Sequence, residues 1–261
     1  MKYTIDDLRN ILIKLRSENG CPWDRVQTHE SIKRSMIEEA YEAIDALDKK
    51  DDKLFANELG DLLLQVVFNA RIAEERGAFD FDDILYEICT KLIERHTHVF
   101  GADKSQNPDD ALKIWEKNKK AEKGLKNYSE SLHDIPYSLP ALIRAEKIQK
   151  KAKSSGFDWN SVDGAMDKVF EELDEMKSAI NNNNPKEIEE EYGDLLFAMV
   201  NLSRFINIDA EDALTKASNK FIKRFEKMEE SATADGKDFS SLSIEKKEEY
   251  WTLAKNEENS N

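Results

Sequence analysis

One acidic pattern occurs twice in this chain, and the two occurrences lie 133 positions apart. In each of them, Glu-Glu-x-x-Glu is separated by fifteen residues from Glu-x-x-Asp. The first occurrence consists of Glu38, Glu39, Glu42, Glu58 and Asp61, and the second of Glu171, Glu172, Glu175, Glu191 and Asp194. Because every member keeps one offset, the pattern indicates an internal duplication, and the chain is predicted to fold as two similar units.

The composition and the apolar periodicity favour helices in both units. Only 9 Gly and 5 Pro occur in 261 residues, and these are the residues that interrupt helices. Helical spacing of apolar residues predicts helices over 8–15, 31–48, 54–76, 82–97 and around Trp115, and again over 143–153, 163–179, 187–205, 210–230 and around Trp251. We therefore predict an all-α fold of two homologous helical bundles, a domain 1–123 and a domain 141–261, joined by a linker 124–140.

The net charge of −15 limits the partners that this chain can bind. So acidic a surface is a poor docking face for nucleic acid or for an anionic membrane. No apolar run approaches the length of a membrane span, and two cysteines cannot form a disulfide framework in a chain of this size. We expect a cytoplasmic protein that binds neither nucleic acid nor membrane.

The acidic pattern places carboxylates on two neighbouring helices. Residues three apart share one helix face, so Glu39 points with Glu42, and Glu58 with Asp61. The same holds for the second copy, and short polar turns make the two helices antiparallel neighbours. Carboxylates that face one another repel unless a cation lies among them, and an all-oxygen set favours Mg²⁺ or Mn²⁺. The alternative is an ordinary solvated charged face; a di-iron site is excluded because neither repeat has a Glu-x-x-His pair.

Basic and aromatic residues repeat with the acids. Lys and Arg four residues apart form a possible phosphate-binding pair on the fourth helix of each repeat, and a Trp on the last helix could stack on a base. These residues are Lys91, Arg95, Trp115 and Lys119 in the first repeat, and Lys220, Arg224 and Trp251 in the second. Surface cations and core tryptophans are the alternative interpretation. Trp23 and Trp159, at the starts of loops, are predicted to pack those loops onto the bundles.

With these motifs, the chain resembles the MazG family of the all-α nucleoside triphosphate pyrophosphatase superfamily over nearly its whole length. The resemblance rests on both acidic sets and on Gly20-Cys21-Pro22-Trp23-Asp24, Gln27-Thr28-His29, Lys147-Ile148-Gln149 and Gly156-Phe157-Asp158-Trp159. It implies a homodimeric, Mg²⁺-dependent enzyme that hydrolyses nucleoside triphosphates to monophosphate and pyrophosphate, with broad specificity. It further implies Mg²⁺ on Glu172, Glu175, Glu191 and Asp194, and nucleotide contacts from Lys168, Lys220, Arg224 and Trp251.

The resemblance makes the C-terminal repeat the main catalytic copy and leaves the activity of the N-terminal copy open. We expect metal-assisted attack of water on the α–β link, with Glu171 or Glu38 accepting the proton. Two alternatives stay open. One is a narrower pyrophosphatase selective for dUTP or modified nucleotides, and the other is a non-catalytic helical module that binds metal or a basic partner.

Overall fold

The computed structural model describes residues 2–258, and the chain divides between Lys123 and Gly124 into two compact units. The described residues form helices and no strand, so the all-α prediction is confirmed. The first unit contains α1 (Ile5–Arg16), α2 (Pro22–Val26), α3 (His29–Asp48), α4 (Asp52–Glu75), α5 (Phe81–Arg95), α6 (Thr97–Phe100) and α7 (Pro108–Glu122). The second contains α8 (Tyr128–His133), α9 (Ala141–Lys153), α10 (Val162–Asn182), α11 (Pro185–Phe205), α12 (Ala210–Ala234), the 3-10 helix Phe239–Ser241 and α13 (Ile244–Glu258).

The centre of each unit is a hairpin of two long helices, α3–α4 and α10–α11. In the first, Lys50 adopts a left-handed conformation (φ +56°) and the Asp51 side chain accepts hydrogen bonds from the first backbone N–H groups of α4. In the second, Asn183 is left-handed (φ +50°) and Asn184 caps α11, whose first residue is Pro185. Asn and Asp are favoured at such caps, and Pro fits the first helical position. These turns make the helices of each hairpin antiparallel.

Each unit packs its other helices on this hairpin or beside it. α4 contacts α1 and α5 in the first unit; α9 contacts α11 and α12, and α12 packs against α13, in the second. One core lies where α1, α3, α4 and α5 meet, and it contains Leu12, Ile32, Val67, Phe68, Ala70, Ile72 and Phe81. A smaller core joins α12 to α13 through Met228, Ala232, Tyr250 and Ala254.

A buried arginine holds the segment before α3. The Arg16 guanidinium pairs with Glu75 at 2.7 Å and donates to the backbone carbonyls of Asp24 and Gln27. In the second unit Arg204, on α11, pairs with Asp158 at 2.8 Å in the segment that precedes α10. In both units an arginine connects this segment to the long hairpin, through backbone carbonyls in the first and through the Asp158 carboxylate in the second, although the arginine lies on different helices.

The structure adds detail to three of the predicted segments. The segment 124–140, predicted as the linker, contains α8, which packs on α9 and groups with the second unit. Residues 22–26 form a short helix rather than a loop, because Pro22 occupies a first-turn position where its missing N–H has no cost. Trp23 is 63% exposed, so its ring contributes little packing, whereas the Trp159 ring, 45% exposed, lies against Gly164 of α10 as predicted.

Much apolar helix surface is exposed in this chain. On α3 only Ile32, Ala43 and Ala46 are buried, while the apolar side chains of Ile37, Tyr41 and Ile44 are about half exposed. The exposed apolar residues of the hairpins and their neighbours include Ile37, Tyr41, Ile44, Leu47, Leu59, Leu63, Tyr86, Leu92, Ile93, Phe170, Tyr192, Phe197, Phe221 and Ile222. We call this set the exposed apolar faces. Within the described residues, no helix has the length and apolarity that crossing a membrane requires.

Candidate functional site

The first acidic cluster lies across the α3–α4 hairpin. Glu39 comes from α3, and Glu58 and Asp61 come from α4 on one face, three residues apart. One carboxylate oxygen of each lies within 4.8 Å of the others. Glu58 is buried, whereas Glu39 and Asp61 are partly exposed, so the cluster sits at the edge of the hairpin where an ion can enter.

The second cluster lies across α10–α11. Glu172 and Glu175 come from α10 and Glu191 from α11, again with one oxygen of each within 4.8 Å of the others. Glu172 is buried at 5% exposure, and Glu175 is exposed. Both helical hairpins therefore bring three of the four predicted carboxylates together.

The fourth predicted carboxylate of each set, Glu42 or Asp194, lies outside the three-residue cluster but acts on it electrostatically. Burial raises the pKa of Glu39, and the charges of Asp61, Glu42 and Glu58 raise it further. Burial likewise raises the pKa of Glu191, with added effects of Glu175, Glu172 and Asp194.

The two clusters differ in their immediate partners. Lys168 Nζ lies 2.8 Å from Glu171 Oε1 and 2.6 Å from Glu172 Oε1, so one ammonium holds two acids of the second set. Its position in the first repeat is occupied by Ser35. There Arg34 pairs with Glu38 at 2.7 Å, and among the described residues no lysine or arginine forms an ion pair with Glu39, Glu58 or Asp61.

A neutral amide supports the first cluster instead. Asn57 Nδ2 donates to Glu58 Oε1 at 3.4 Å and to Asp61 Oδ2 at 3.3 Å. The corresponding position of the second repeat is Glu190, whose charge helps to raise the pKa of Glu191. Our sequence reasoning did not single out Asn57 or Ser35. Comparing the repeats position by position at the offset of 133 would have found both.

The predicted basic and aromatic residues of the first repeat form a group of their own on α5 and α7. The Arg95 guanidinium makes two hydrogen bonds to Glu122, at 2.6 and 3.0 Å, and lies 5.3 Å from the centre of the Trp115 ring. Lys119 lies 4.8 Å from the same ring, and Lys91 pairs with a glutamate one turn earlier on α5 at 3.4 Å. Arg95 would therefore have to exchange Glu122 for a phosphate in order to bind a nucleotide.

The second repeat places the same residue types on α12 and α13. The Arg224 guanidinium lies 5.5 Å from the Trp251 ring centre, and the Phe221 ring lies 5.2 Å from it. Lys220 is exposed one turn before Arg224. Trp251 is partly buried in the small α12–α13 core, so its ring packs against that core while part of the ring remains exposed to solvent.

The glycines beside the clusters face open space. A methyl group added at Gly60 or Gly193 would meet nothing within 4 Å. Each glycine precedes an aspartate of the acidic pattern inside a long helix, where glycine costs about 1 kcal/mol relative to alanine. Packing within this chain does not require these glycines.

Both clusters have the properties of a divalent-cation site. Three carboxylate oxygens within 4.8 Å offer the hard, anionic donors that Mg²⁺ and Mn²⁺ prefer. Burial, and after it the crowded negative charge, raises the pKa values of Glu39 and Glu191, and a bound cation would relieve that crowding.

Comparisons with known proteins agree with this arrangement. A family model described as the MazG nucleotide pyrophosphohydrolase domain matches residues 27–100 and 161–228, so it covers the two hairpins separately. The chain is 51% identical to the nucleoside triphosphate pyrophosphohydrolase/pyrophosphatase MazG of Thermotoga maritima, over 96% of this chain and 95% of that protein. It is 45% identical to the nucleoside triphosphate pyrophosphohydrolase of Escherichia coli K12, over 97% and 98%.

Two all-α hairpins, each with a carboxylate cluster and each matched by this domain, define a nucleotide pyrophosphohydrolase, which is a hydrolase. The match exceeds half of the chain, and the relatives are similar over nearly full length. The chain belongs to the MazG family. The resemblance inferred from the motifs is thereby confirmed.

Proposed function

We propose that this protein is a Mg²⁺-dependent nucleoside triphosphate pyrophosphohydrolase that releases pyrophosphate by cleaving the α–β link. Mn²⁺ would substitute for Mg²⁺ at an all-oxygen site. The observation that carries the proposal is the duplicated cluster of three carboxylates in a chain matched twice by the nucleotide pyrophosphohydrolase domain. The proposal also includes broad specificity among nucleoside triphosphates and a role in cleaning the nucleotide pool. The enzyme would act in the cytoplasm, where free nucleotides occur.

The second repeat is proposed as the main catalytic copy. Glu172, Glu175 and Glu191 would hold the ion with Asp194 beside them. The first repeat would use Glu39, Glu58 and Asp61, with Glu42 beside them. The proposed nucleotide contacts are Lys168, Lys220, Arg224 and Trp251 in the second repeat and Lys91, Arg95, Trp115 and Lys119 in the first.

The chemistry is attack of water on the α-phosphorus with pyrophosphate leaving. A divalent ion in the cluster supplies charge neutralisation at the phosphate oxygens and makes water more acidic. Glu171 is the proposed proton acceptor, because its carboxylate is exposed beside Glu172. The Lys168 ammonium lies 2.8 Å from it. Lys220 and Arg224 would neutralise charge on the departing pyrophosphate.

Homodimerisation is part of the proposal because the exposed apolar faces are extensive. Half-exposed Ile37, Tyr41 and Ile44 occupy the same helix as Glu39. Contiguous apolar patches of this kind mark interaction surfaces in folded proteins. A second copy that covers these faces would also shield the acidic clusters from bulk water. Light scattering coupled to size-exclusion chromatography tests this, and a monomeric mass at micromolar concentration would refute it.

Product analysis tests the reaction. Purified protein with dNTPs or NTPs and Mg²⁺ should yield monophosphate and pyrophosphate, and EDTA should abolish both. Glu172→Gln and Glu39→Gln assign turnover to a repeat, with Glu187→Gln, at the exposed start of α11, as the matched control. Diphosphate with phosphate would overturn the cleavage position, and tight Mn²⁺ binding without turnover would favour the non-catalytic module.

Specificity constants over the four dNTPs, dUTP and the NTPs distinguish broad from narrow action. Similar values support broad specificity. A preference for dUTP or a modified nucleotide by two orders of magnitude would replace it with the narrower enzyme.

A further inference from the structure

The two acidic clusters are not equivalent before any ion binds, because among residues 2–258 only the second has a side-chain cation paired with one of its members. The Lys168 ammonium lies between Glu171 and Glu172, at 2.8 and 2.6 Å. Glu172 is both buried and a member of the three-oxygen cluster. The ammonium therefore contacts one of the oxygens that a divalent ion would use.

The lysine reaches this position through ordinary helix geometry. Lys168 lies three residues before Glu171 and four before Glu172 on α10, where side chains are neighbours. Its side chain is one-third exposed, so it can leave the acids without unfolding of the helix. The Lys168 ammonium donates to the carboxylates of Glu171 and Glu172, and a lysine with two such partners keeps its charge at neutral pH.

We propose that Lys168 is a tethered counter-cation that a divalent ion must displace from Glu172, so that the second cluster binds free metal more weakly than the first. The inference rests on the proposed function, which makes both clusters metal sites. At Ser35 the first repeat has a neutral side chain, and Glu39, Glu58 and Asp61 form no ion pair among the residues that the structure describes. An entering ion meets no competing cation there.

Displacement of Lys168 couples metal binding to substrate binding. An ammonium that leaves Glu172 needs a new anionic partner, and the phosphate oxygens of a bound nucleotide supply one. Metal and triphosphate then favour each other's binding at the second repeat by the same factor, as thermodynamic linkage requires. The second repeat would stay largely metal-free until substrate arrives, whereas the first would fill first in a metal titration.

Mn²⁺ titration of the full chain tests the inference, with bound ion measured by electron paramagnetic resonance. Glu58→Gln silences the first cluster and Glu191→Gln silences the second, so that each is measured alone in a folded chain. In the Glu58→Gln background, Lys168→Met should raise the Mn²⁺ affinity of the second cluster about tenfold, as expected for one unit charge a few ångströms away in a partly exposed site. Lys168→Arg keeps the charge and should keep the weak affinity.

The first repeat provides the reciprocal experiment. In the Glu191→Gln background, Ser35→Lys should lower the Mn²⁺ affinity of the first cluster about tenfold. A second readout uses a triphosphate with an imido group in the α–β bridge, titrated in EDTA and in saturating Mn²⁺. Lys168→Met should reduce the gain in its affinity that Mn²⁺ produces, and this holds without any turnover.

Unchanged Mn²⁺ affinity in both Lys168→Met and Ser35→Lys would overturn the inference while leaving the proposed function intact. Weaker Mn²⁺ binding after Lys168→Met would overturn it as well, because the lysine would then be shown to organise the cluster. If neither cluster binds Mn²⁺ and wild type releases no pyrophosphate, the proposed function itself fails, and the inference fails with it.

Discussion

Replacing Glu39 with glutamine should stabilise the metal-free protein and remove the stabilisation that Mg²⁺ provides at the first cluster. The Glu39 carboxylate has oxygens of two others, Glu58 and Asp61, within 4.8 Å. Two unit charges at that separation repel by about 0.9 kcal/mol in water. Two such pairs give about 2 kcal/mol, and solvent screening at a partly exposed site lowers this to about 1 kcal/mol. Glutamine keeps the shape and removes the charge.

The assay is thermal unfolding in EDTA and in Mg²⁺. A gain of about 1 kcal/mol corresponds to an increase in Tm of about 2 to 4 °C for a chain of this size. In Mg²⁺ at 100 times the dissociation constant, wild type gains about 2.7 kcal/mol by mass action. The order of stability should therefore reverse between the two buffers, with the variant higher in EDTA and wild type higher in Mg²⁺.

Glu38→Gln is the matched control on the same helix. Glu38 lies outside the cluster and pairs with the exposed Arg34, so its loss should change Tm by less than about 1 °C in either buffer. A lower Tm of Glu39→Gln in EDTA would refute the reasoning, because it would mean that Glu39 is held by favourable contacts. If Mg²⁺ raises the Tm of Glu39→Gln and of Glu38→Gln by the same amount, the ion does not bind at Glu39.

Three further predictions follow from the same geometry. Gly60→Ala should raise Tm in EDTA by about 2 to 4 °C, since alanine gains about 1 kcal/mol in a helix and meets open space; a decrease would mean that this space is filled in solution. Arg16→Met should lower the free energy of unfolding by about 2 kcal/mol, because it leaves two backbone carbonyls without their donor and Glu75 with Arg71 as its remaining partner, whereas the exposed Arg34→Met should cost under about 1 kcal/mol in the same urea titration. Glu39 and Glu191 have raised pKa values, so protonation relieves their repulsion in the folded state as pH falls. At pH 7 wild type should have a lower free energy of unfolding than the double variant Glu39→Gln/Glu191→Gln, and this difference should shrink towards pH 5. A difference that grows as the pH falls would contradict this sign.

The sequence predicts the helices well because their signals are local. Apolar spacing places the ends of α4 and α11 within two residues of the observed positions. The carboxylate clusters are predicted for the same reason, since i, i+3 spacing and a turn of two or three residues decide which acids face each other.

What the sequence does not predict depends on contacts between distant segments. Periodicity indicates which residues of α3 share a face, but it does not say what covers that face, and Tyr41 is half exposed. The pairing of Arg95 with Glu122 joins two helices 27 positions apart, so a basic residue assigned to nucleotide has a structural partner already. Trp23 is exposed for a related reason: the segment that carries it is fixed by Arg16 and not by the indole ring.

Each acidic cluster is confined to one helical hairpin, and this has a consequence for how the protein folds. Glu39 and Glu58 are 19 positions apart, as are Glu172 and Glu191, so each site closes over a short span of chain. Contacts of such low sequence separation form early, because little loop entropy is lost in making them. The like charges then oppose hairpin closure during folding, and divalent ions in the refolding buffer should accelerate closure of the first hairpin, whose Glu39, Glu58 and Asp61 form no ion pair within the described chain. Synthesis from the N-terminus would complete that hairpin before the second has left the ribosome.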